Sequence, residues 1–283
     1  MPNIYKRILS ALLVFPISLL IVWVGLPLMA PAYLLISLFA LREFSIMMNL
    51  RGIPIRKRSL VVATVLTLPA SLPVSYPGMQ PLVAGVSWRE ALLGLFVFYL
   101  VSLEVIKPNQ NSLNTVVYTF FAFVYIPWLL GYTITLRYTP DGILGFWYLM
   151  LPVLAAIASD IGAFGFGSKF GKHQLAPRLS PKKTLEGAFG GLGLAILVVA
   201  LTTWVLEHIL SLHVDIYDAI LFSILVASAA QLGDLFESLI KRWAGVKDSG
   251  DVMPGHGGIL DRIDSVLFAV PVTYYFMTLV ILR

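Results

Sequence analysis

Apolar runs long enough to cross a lipid bilayer recur along this chain and leave it few folds to choose from. Crossing roughly 30 Å of hydrocarbon takes about 20 helical residues. Segments near that length occur at 8–24, 27–48, 59–75, 90–106, 114–136, 143–166, 187–206, 217–240 and 260–282. They make the chain 58% hydrophobic and only 12% charged, with a mean hydropathy of +0.87, outside the range of a soluble domain. The expectation is an all-α polytopic membrane protein with nine spans. The first run, preceded by Lys6 and Arg7 and followed by "LMAPA", has features of a secretory signal. It leads straight into a second span, however, and is read as an uncleaved anchor.

Lys and Arg collect in short cytoplasmic loops. With the N-terminus inside, the cytoplasmic face receives the basic residues of loops 51–58, 169–186 and 241–259 together with Lys6, Arg7, Lys107 and Arg262, while the opposite face receives Arg89, Arg137 and Arg283. An odd number of spans then puts the C-terminus outside. The net charge of +5 lies mostly in those loops, facing anionic headgroups, so it is not read as nucleic-acid binding. With no cysteine there is no disulfide, thiol nucleophile or Cys-built metal site. His173, His208, His213 and His256 lack zinc-type spacing. Residues 1–283 read as a single membrane domain, with an N-terminal helical half at 1–140 and a catalytic half at 141–283.

Acidic residues inside apolar runs locate the candidate site. An ionisable side chain within the bilayer costs at least ~2.5–3.5 kcal/mol and so normally faces a partner, an ion or water. Asp160 closes "LPVLAAIASD", and Asp234 and Glu237 interrupt the run that ends in Lys241. On a helix Asp234, Glu237, Ser238 and Lys241 share one face. The last helix opens with Asp261 and Asp264 at i, i+3, and an antiparallel pair of helices would gather Asp234, Asp261 and Asp264. Such carboxylates repel one another unless a cation sits among them, and hard oxygen ligands favour Mg²⁺ or a similar ion. The plainer readings are helix capping for Asp261 and a simple ion pair with Lys241 for Glu237.

Phosphate chemistry is suggested nearby. "PGHGG" precedes the last helix, where glycines let an anion approach the backbone and the first N–H groups of the helix point at it. His256 is a candidate contact there. Ser180, Lys182, Lys183 and Thr184 form a second run of donors suited to polyphosphate, although the Walker A spacing fails because Phe166 stands where its first glycine should be. Gly187 and Gly191, spaced G-x-x-x-G, read as close helix packing.

These segments resemble a known family. "SLIKRWAGVKDSGDVMPGHGGILDRID", residues 238–264, and "SPKKTLEG", residues 180–187, are similar to the two motifs of the CDP-diacylglycerol synthases, or phosphatidate cytidylyltransferases. "SDIGAFGFG" from 159 is a weaker match, with Ser159, Phe164 and Ser168 at positions where many relatives carry Ala, Tyr and Arg. The resemblance implies that CTP and phosphatidic acid become CDP-diacylglycerol and pyrophosphate at the inner membrane of a bacterium, with the site facing the cytoplasm. It implies Mg²⁺, with K⁺ beside it, and a homodimer. It also implies roles: Asp234 and Asp261 as metal ligands, Asp264 as a further essential carboxylate at the metal, and Lys241 as their charge partner. Asp160, Ser180, Lys182, Lys183, Thr184, Arg242, Lys247, Asp248, His256, Gly257, Gly258 and Arg262 are then substrate contacts. Two alternatives stay open, a CTP-dependent polyprenol kinase and, in a different class, an ion or substrate transporter.

Overall fold

The computed structural model describes residues 16–80, 86–140, 142–210, 214–250 and 257–282. Helices dominate, and the chain divides into two compact units, one of residues 1–146 with 244–262 and one of 147–243 with 263–283.

The first unit holds α1 (Leu26–Leu50), α2 (Lys57–Ala70), α3 (Trp88–Ile106) and α4, which runs from Ser112–Phe123 through a wide π-turn at Val124–Trp128 to Leu129–Arg137. A capping box starts α3: the Ser87 hydroxyl accepts from the Glu90 N–H at 3.2 Å, and the Glu90 carboxylate accepts from the Ser87 N–H at 2.9 Å. Pro127 has no N–H to give to the helix, and the π-turn accommodates it. Its carbonyl accepts from the Tyr33 hydroxyl of α1 at 2.9 Å. Phe44 of the same helix packs on Tyr125, their ring centres 6.5 Å apart, and Phe44, Met47, Met48, Phe123 and Tyr125 are all buried in this unit.

Two arginines expected in loops on the far face are buried in this unit. Arg89 lies with its guanidinium carbon 3.7 Å from the Tyr132 ring centre and 4.6 Å from that of Trp128, and it donates to the Trp128 carbonyl at 2.6 Å. Ring faces and carbonyls replace the water it gave up. Arg137 likewise donates to the carbonyls of Val22 and Gly142 at 2.9 and 3.0 Å.

The second unit takes in most of α5 (Ile143–Phe170), then a hairpin of β1 (Gln174–Ala176) and β2 (Ser180–Thr184), α6 (Leu185–Leu210), α7 (Ile216–Ala244) and most of α8 (Leu260–Phe276), which ends in a π-turn at Met277–Ile281. The strands are antiparallel, with Ala176 opposite Ser180 and Gln174 opposite Thr184. Glycines set how closely α5 and α6 approach. A Cβ added at Gly187 would lie 2.7 Å from the Ala163 carbonyl oxygen, and one at Gly191 would lie 2.6 Å from that of Ser159. The Gly187-x-x-x-Gly191 pair is thus a packing surface.

Among the described residues six helices are long and apolar enough to cross a membrane: Leu26–Leu50, Ser112–Arg137, Gly142–Phe170, Leu185–Leu210, Ile216–Ala244 and Leu260–Ile281. The protein is an integral membrane protein of polytopic, mainly helical build. Three of the expected nine spans do not appear in that set. The one at 8–24 begins outside the described residues. The one at 59–75 becomes α2, whose 14 residues reach only about 21 Å. The one at 90–106 becomes α3, which is long enough at 19 residues but carries Arg89, Glu90 and Glu104. Glu104 is buried and receives Arg56 at 2.6 Å. The hairpin is a departure from an all-α chain, on a segment expected to be a loop.

Candidate active site

The start of α6 shapes the hairpin. Thr184 caps that helix, its hydroxyl accepting from the Gly187 N–H at 3.1 Å. Within the first turn, Glu186 accepts from the Lys172 N–H at 3.0 Å and meets His173 Nδ1 at 2.6 Å. These bonds tie the base of the hairpin to the helix and present "SPKKT" as a strand.

Beside that strand lies a cavity of about 380 Å³ within the second unit, lined by residues that include Asp160, Phe164, Lys182, Lys183, Gln231 and Asp234. Lys183 and Asp234 form an ion pair across it, their side chains 30% and 29% exposed. The pair is therefore neither sealed from solvent nor fully screened by it. Asp160, in α5, lies within electrostatic reach of both partners. Gln231 donates to the Ser159 hydroxyl at 2.9 Å and to the Ala188 carbonyl at 3.2 Å, joining α5, α6 and α7 at the cavity wall.

Asp264 is 8% exposed and in reach of Asp234, Lys241 and Asp160. One reason is Gly233: a Cβ there would lie 3.2 Å from the Asp264 carbonyl carbon and closer still to its oxygen. Only a glycine lets α7 approach α8 this far. Lys241 reaches back one turn to the fully buried Glu237 at 2.6 Å. Three aspartates and two lysines thus share one region of the second unit, and a cavity opens on two of the aspartates. Among the described residues no three acidic or imidazole side chains stand close enough to enclose a metal ion by themselves.

A separate carboxylate group belongs to the first unit. Glu43 of α1, 1% exposed, accepts from the N–H groups of Ile259 and Leu260, both at 2.9 Å, and its Oε2 lies 3.0 Å from the Ser249 hydroxyl. Asp261 Oδ2 accepts from the Ser249 N–H at 3.0 Å and the Gly258 N–H at 2.8 Å, and stands 2.9 Å from the same hydroxyl. The backbone donors before α8, expected to cradle a phosphate, are thereby engaged by two carboxylates of the chain.

The remaining predicted residues are scattered. Ser180 is half-buried in β2, away from the cavity lining. Arg242 is exposed and its Nε lies 3.4 Å from the Leu179 carbonyl. Lys247, Asp248 and Arg262 are exposed, and Gly257 has a φ of 81°, a conformation that suits glycine. His256 lies outside the described residues.

Residues 5–280 match the model of the cytidylyltransferase family. The chain belongs to that family. It stands among the nucleotidyltransferases accordingly. It is similar to the phosphatidate cytidylyltransferase of Synechocystis sp., 32% identical over 98% of this chain and 97% of the relative. It is 34% identical to that of Bacillus subtilis over 69% of this chain and 70% of the relative. The match to the enzyme of Staphylococcus epidermidis, 38% identical, covers 62% of this chain and 64% of the relative's length.

For a cytidylyltransferase-family chain, Glu43 and Gln231 are the residues that the motif reading passes over. Both carry the signal that exposed Asp160 and Asp234: a strongly polar side chain inside an apolar run.

Proposed function

We propose that this protein transfers the cytidylyl group of CTP to phosphatidic acid, releasing pyrophosphate and leaving CDP-diacylglycerol for phospholipid synthesis. The observation that carries this reading is the Lys183–Asp234 pair at a cavity also lined by Asp160 and Lys182. Cations suited to phosphate and carboxylates suited to a hard metal ion share one compartment. An oxygen of the lipid phosphate, already anionic at neutral pH, attacks the α-phosphorus of CTP as the bond to pyrophosphate breaks. No strong general base is needed, so the work of the protein is alignment and charge neutralisation.

The donor set fits Mg²⁺, which takes one or two carboxylates and completes its shell with water and substrate phosphate. Asp234 and Asp264, which share the second unit, are the carboxylates that would hold it, with Asp261 entering as a metal ligand on motif resemblance, and when bound it would neutralise charge on the phosphates. Lys183 holds a phosphate oxygen and Lys182, exposed at the cavity wall, adds positive charge that draws the polyphosphate in, while Lys241, steadied by Glu237, balances the aspartates. Asp160, Ser180, Thr184, Arg242, Lys247, Asp248, His256, Gly257, Gly258 and Arg262 enter as contacts to CTP or lipid on motif resemblance. K⁺ and a homodimer enter on that resemblance alone.

In this reading the chain crosses a bacterial inner membrane nine times, with its N-terminus and site in the cytoplasm. The sidedness depends little on α2 and α3, because two consecutive helices that both cross or both stop short leave every later loop on the same face. Single cysteines introduced into loops 51–58, 169–186 and 241–259 of this cysteine-free chain should resist an impermeant reagent applied outside intact cells. Labelling of any one of the three from outside breaks this topology.

The deciding assay gives the purified protein CTP labelled at the α- or γ-phosphate, with Mg²⁺ and either phosphatidic acid or a polyprenol. The α-label should enter a lipid product made from phosphatidic acid. Transfer of the γ-label to the polyprenol would replace this proposal with a kinase.

A further inference from the structure

We infer that Glu43 is a positioning residue for the reaction, holding Asp261 and the first turn of α8 in place from the N-terminal half of the chain. The inference rests on the reading of Asp261 as a metal-holding carboxylate. Its evidence is a chain of bonds within the first unit.

Glu43 is buried where an isolated anion would be costly, and its burial is compensated by what it touches. It accepts the two N–H groups that α8 leaves without helical partners at Ile259 and Leu260, at the positive end of that helix. It thus caps α8 across 216 and 217 positions of sequence. The packing around it leaves no room for error. A Cβ at Gly250 would lie 2.7 Å from Glu43 Oε1, and one at Gly258 would lie 2.6 Å from its carboxyl carbon. Gly250, four residues before the "PGHGG" stretch, and Gly258, its last residue, are therefore required by this carboxylate, independently of any bound anion.

The link to Asp261 is Ser249. Its hydroxyl oxygen stands 3.0 Å from Glu43 Oε2 and 2.9 Å from Asp261 Oδ2. A hydroxyl has one hydrogen, so at any moment Ser249 donates to one of the two carboxylates. The orientation of Ser249 is thereby shared between them. The Ser249 and Gly258 N–H groups complete the seat of Oδ2 and fix the plane of the Asp261 carboxylate. A metal-ligating carboxylate is commonly held this way, by hydrogen bonds from an outer layer.

Glu43→Gln tests the inference with little change of volume. One amide oxygen can still accept from Ile259, but the new NH₂ group faces the Leu260 N–H, donor against donor. Hydrogen–deuterium exchange should quicken in the amides of 257–262. The Mg²⁺ concentration that gives half-maximal thermal protection in the absence of CTP should rise about 10- to 100-fold. With CTP and phosphatidic acid, kcat should fall by a similar factor while KM for CTP stays within about twofold. Ser249→Ala should shift the same three readouts in the same direction by less, and it decides the matter if Glu43→Gln does not fold. Faster exchange at 257–262 with unchanged Mg²⁺ protection and kcat would leave Glu43 a structural cap and overturn the inference. Wild-type protein that makes no CDP-diacylglycerol while the Mg²⁺ shift persists would instead overturn the proposed reaction.

Discussion

Glu43 and Asp261 in the first unit accept hydrogen bonds from backbone N–H groups and stand beside a serine, whereas Asp160, Asp234 and Asp264 in the second are faced by lysines and by one another. The partners differ in what they are able to do. A backbone N–H is fixed by the fold and stays where it is, so it suits a carboxylate whose orientation must not change. A lysine on a flexible stem at the edge of a cavity can exchange one anion for another. The first group has the character of a frame, and the second that of a place where ligands are traded. Lys183 neutralises Asp234, and it is also the cation best placed in the cavity to turn to a phosphate.

The sharpest way to break this contrast is Asp234→Asn. A neutral amide cannot hold a cation as a carboxylate does, and turnover should drop about a hundredfold or more, in the range lost with a key electrostatic group. Membrane insertion and expression should be intact, because the lysine opposite is partly exposed and water can take over its charge. Near-normal turnover at saturating Mg²⁺ would remove Asp234 from the site and leave its pair with Lys183 an ordinary surface bridge.

Lys183→Gln comes next in size. A hydrogen bond to a charged group contributes about 1.5–3 kcal/mol, so KM for a substrate should rise, or kcat fall, roughly ten- to a hundredfold. If the lysine serves only topology, the other basic residues of loop 169–186 keep it inside and kinetics stay normal. The same cysteine labelling that reports orientation separates the two outcomes.

How much of this could be read in advance depends on whether the cause was local. Apolar length is local, and six runs became helices with ends within a few residues of those expected, as at Leu26–Leu50 and Leu260–Ile281. The Glu237–Lys241 pair was legible for the same reason, being one turn apart. Arg89 and Arg137 were assigned to solvent because their partners, the rings of Trp128 and Tyr132 and the carbonyl of Val22, are distant in sequence. The hairpin went unseen because five residues beginning Ser-Pro carry no strand period, and its form is set by Glu186 and His173 outside β2. Glu43 carried a local signal, yet its meaning lies in Ser249, 206 positions away. The motif around Gly257 and Gly258 was legible as special, but its backbone donors answer to Glu43 and Asp261 as much as to any substrate.

The smallest effect belongs to the residue beside Lys183. Sequence makes Lys182 and Lys183 equivalent, two adjacent lysines in one short run, whereas the structure separates them: Lys183 is half-buried against Asp234, and Lys182 is exposed at the cavity wall. An exposed charge attracts a polyphosphate through water and is screened within about 8 Å at physiological salt. Its contribution should therefore be a weak, non-directional pull on CTP. Lys182→Gln is expected to raise KM for CTP only about two- to fivefold at low ionic strength, with kcat unchanged, and the difference from wild type should shrink as salt is added. The Lys183→Gln defect should persist under the same salt, because a short contact in a partly closed cavity is screened much less. Measuring both variants across one salt series puts the comparison at risk directly. A larger or salt-independent loss in Lys182→Gln would mean that Lys182 grips a phosphate at close range and that the ion pair with Asp234 does not mark the more important lysine.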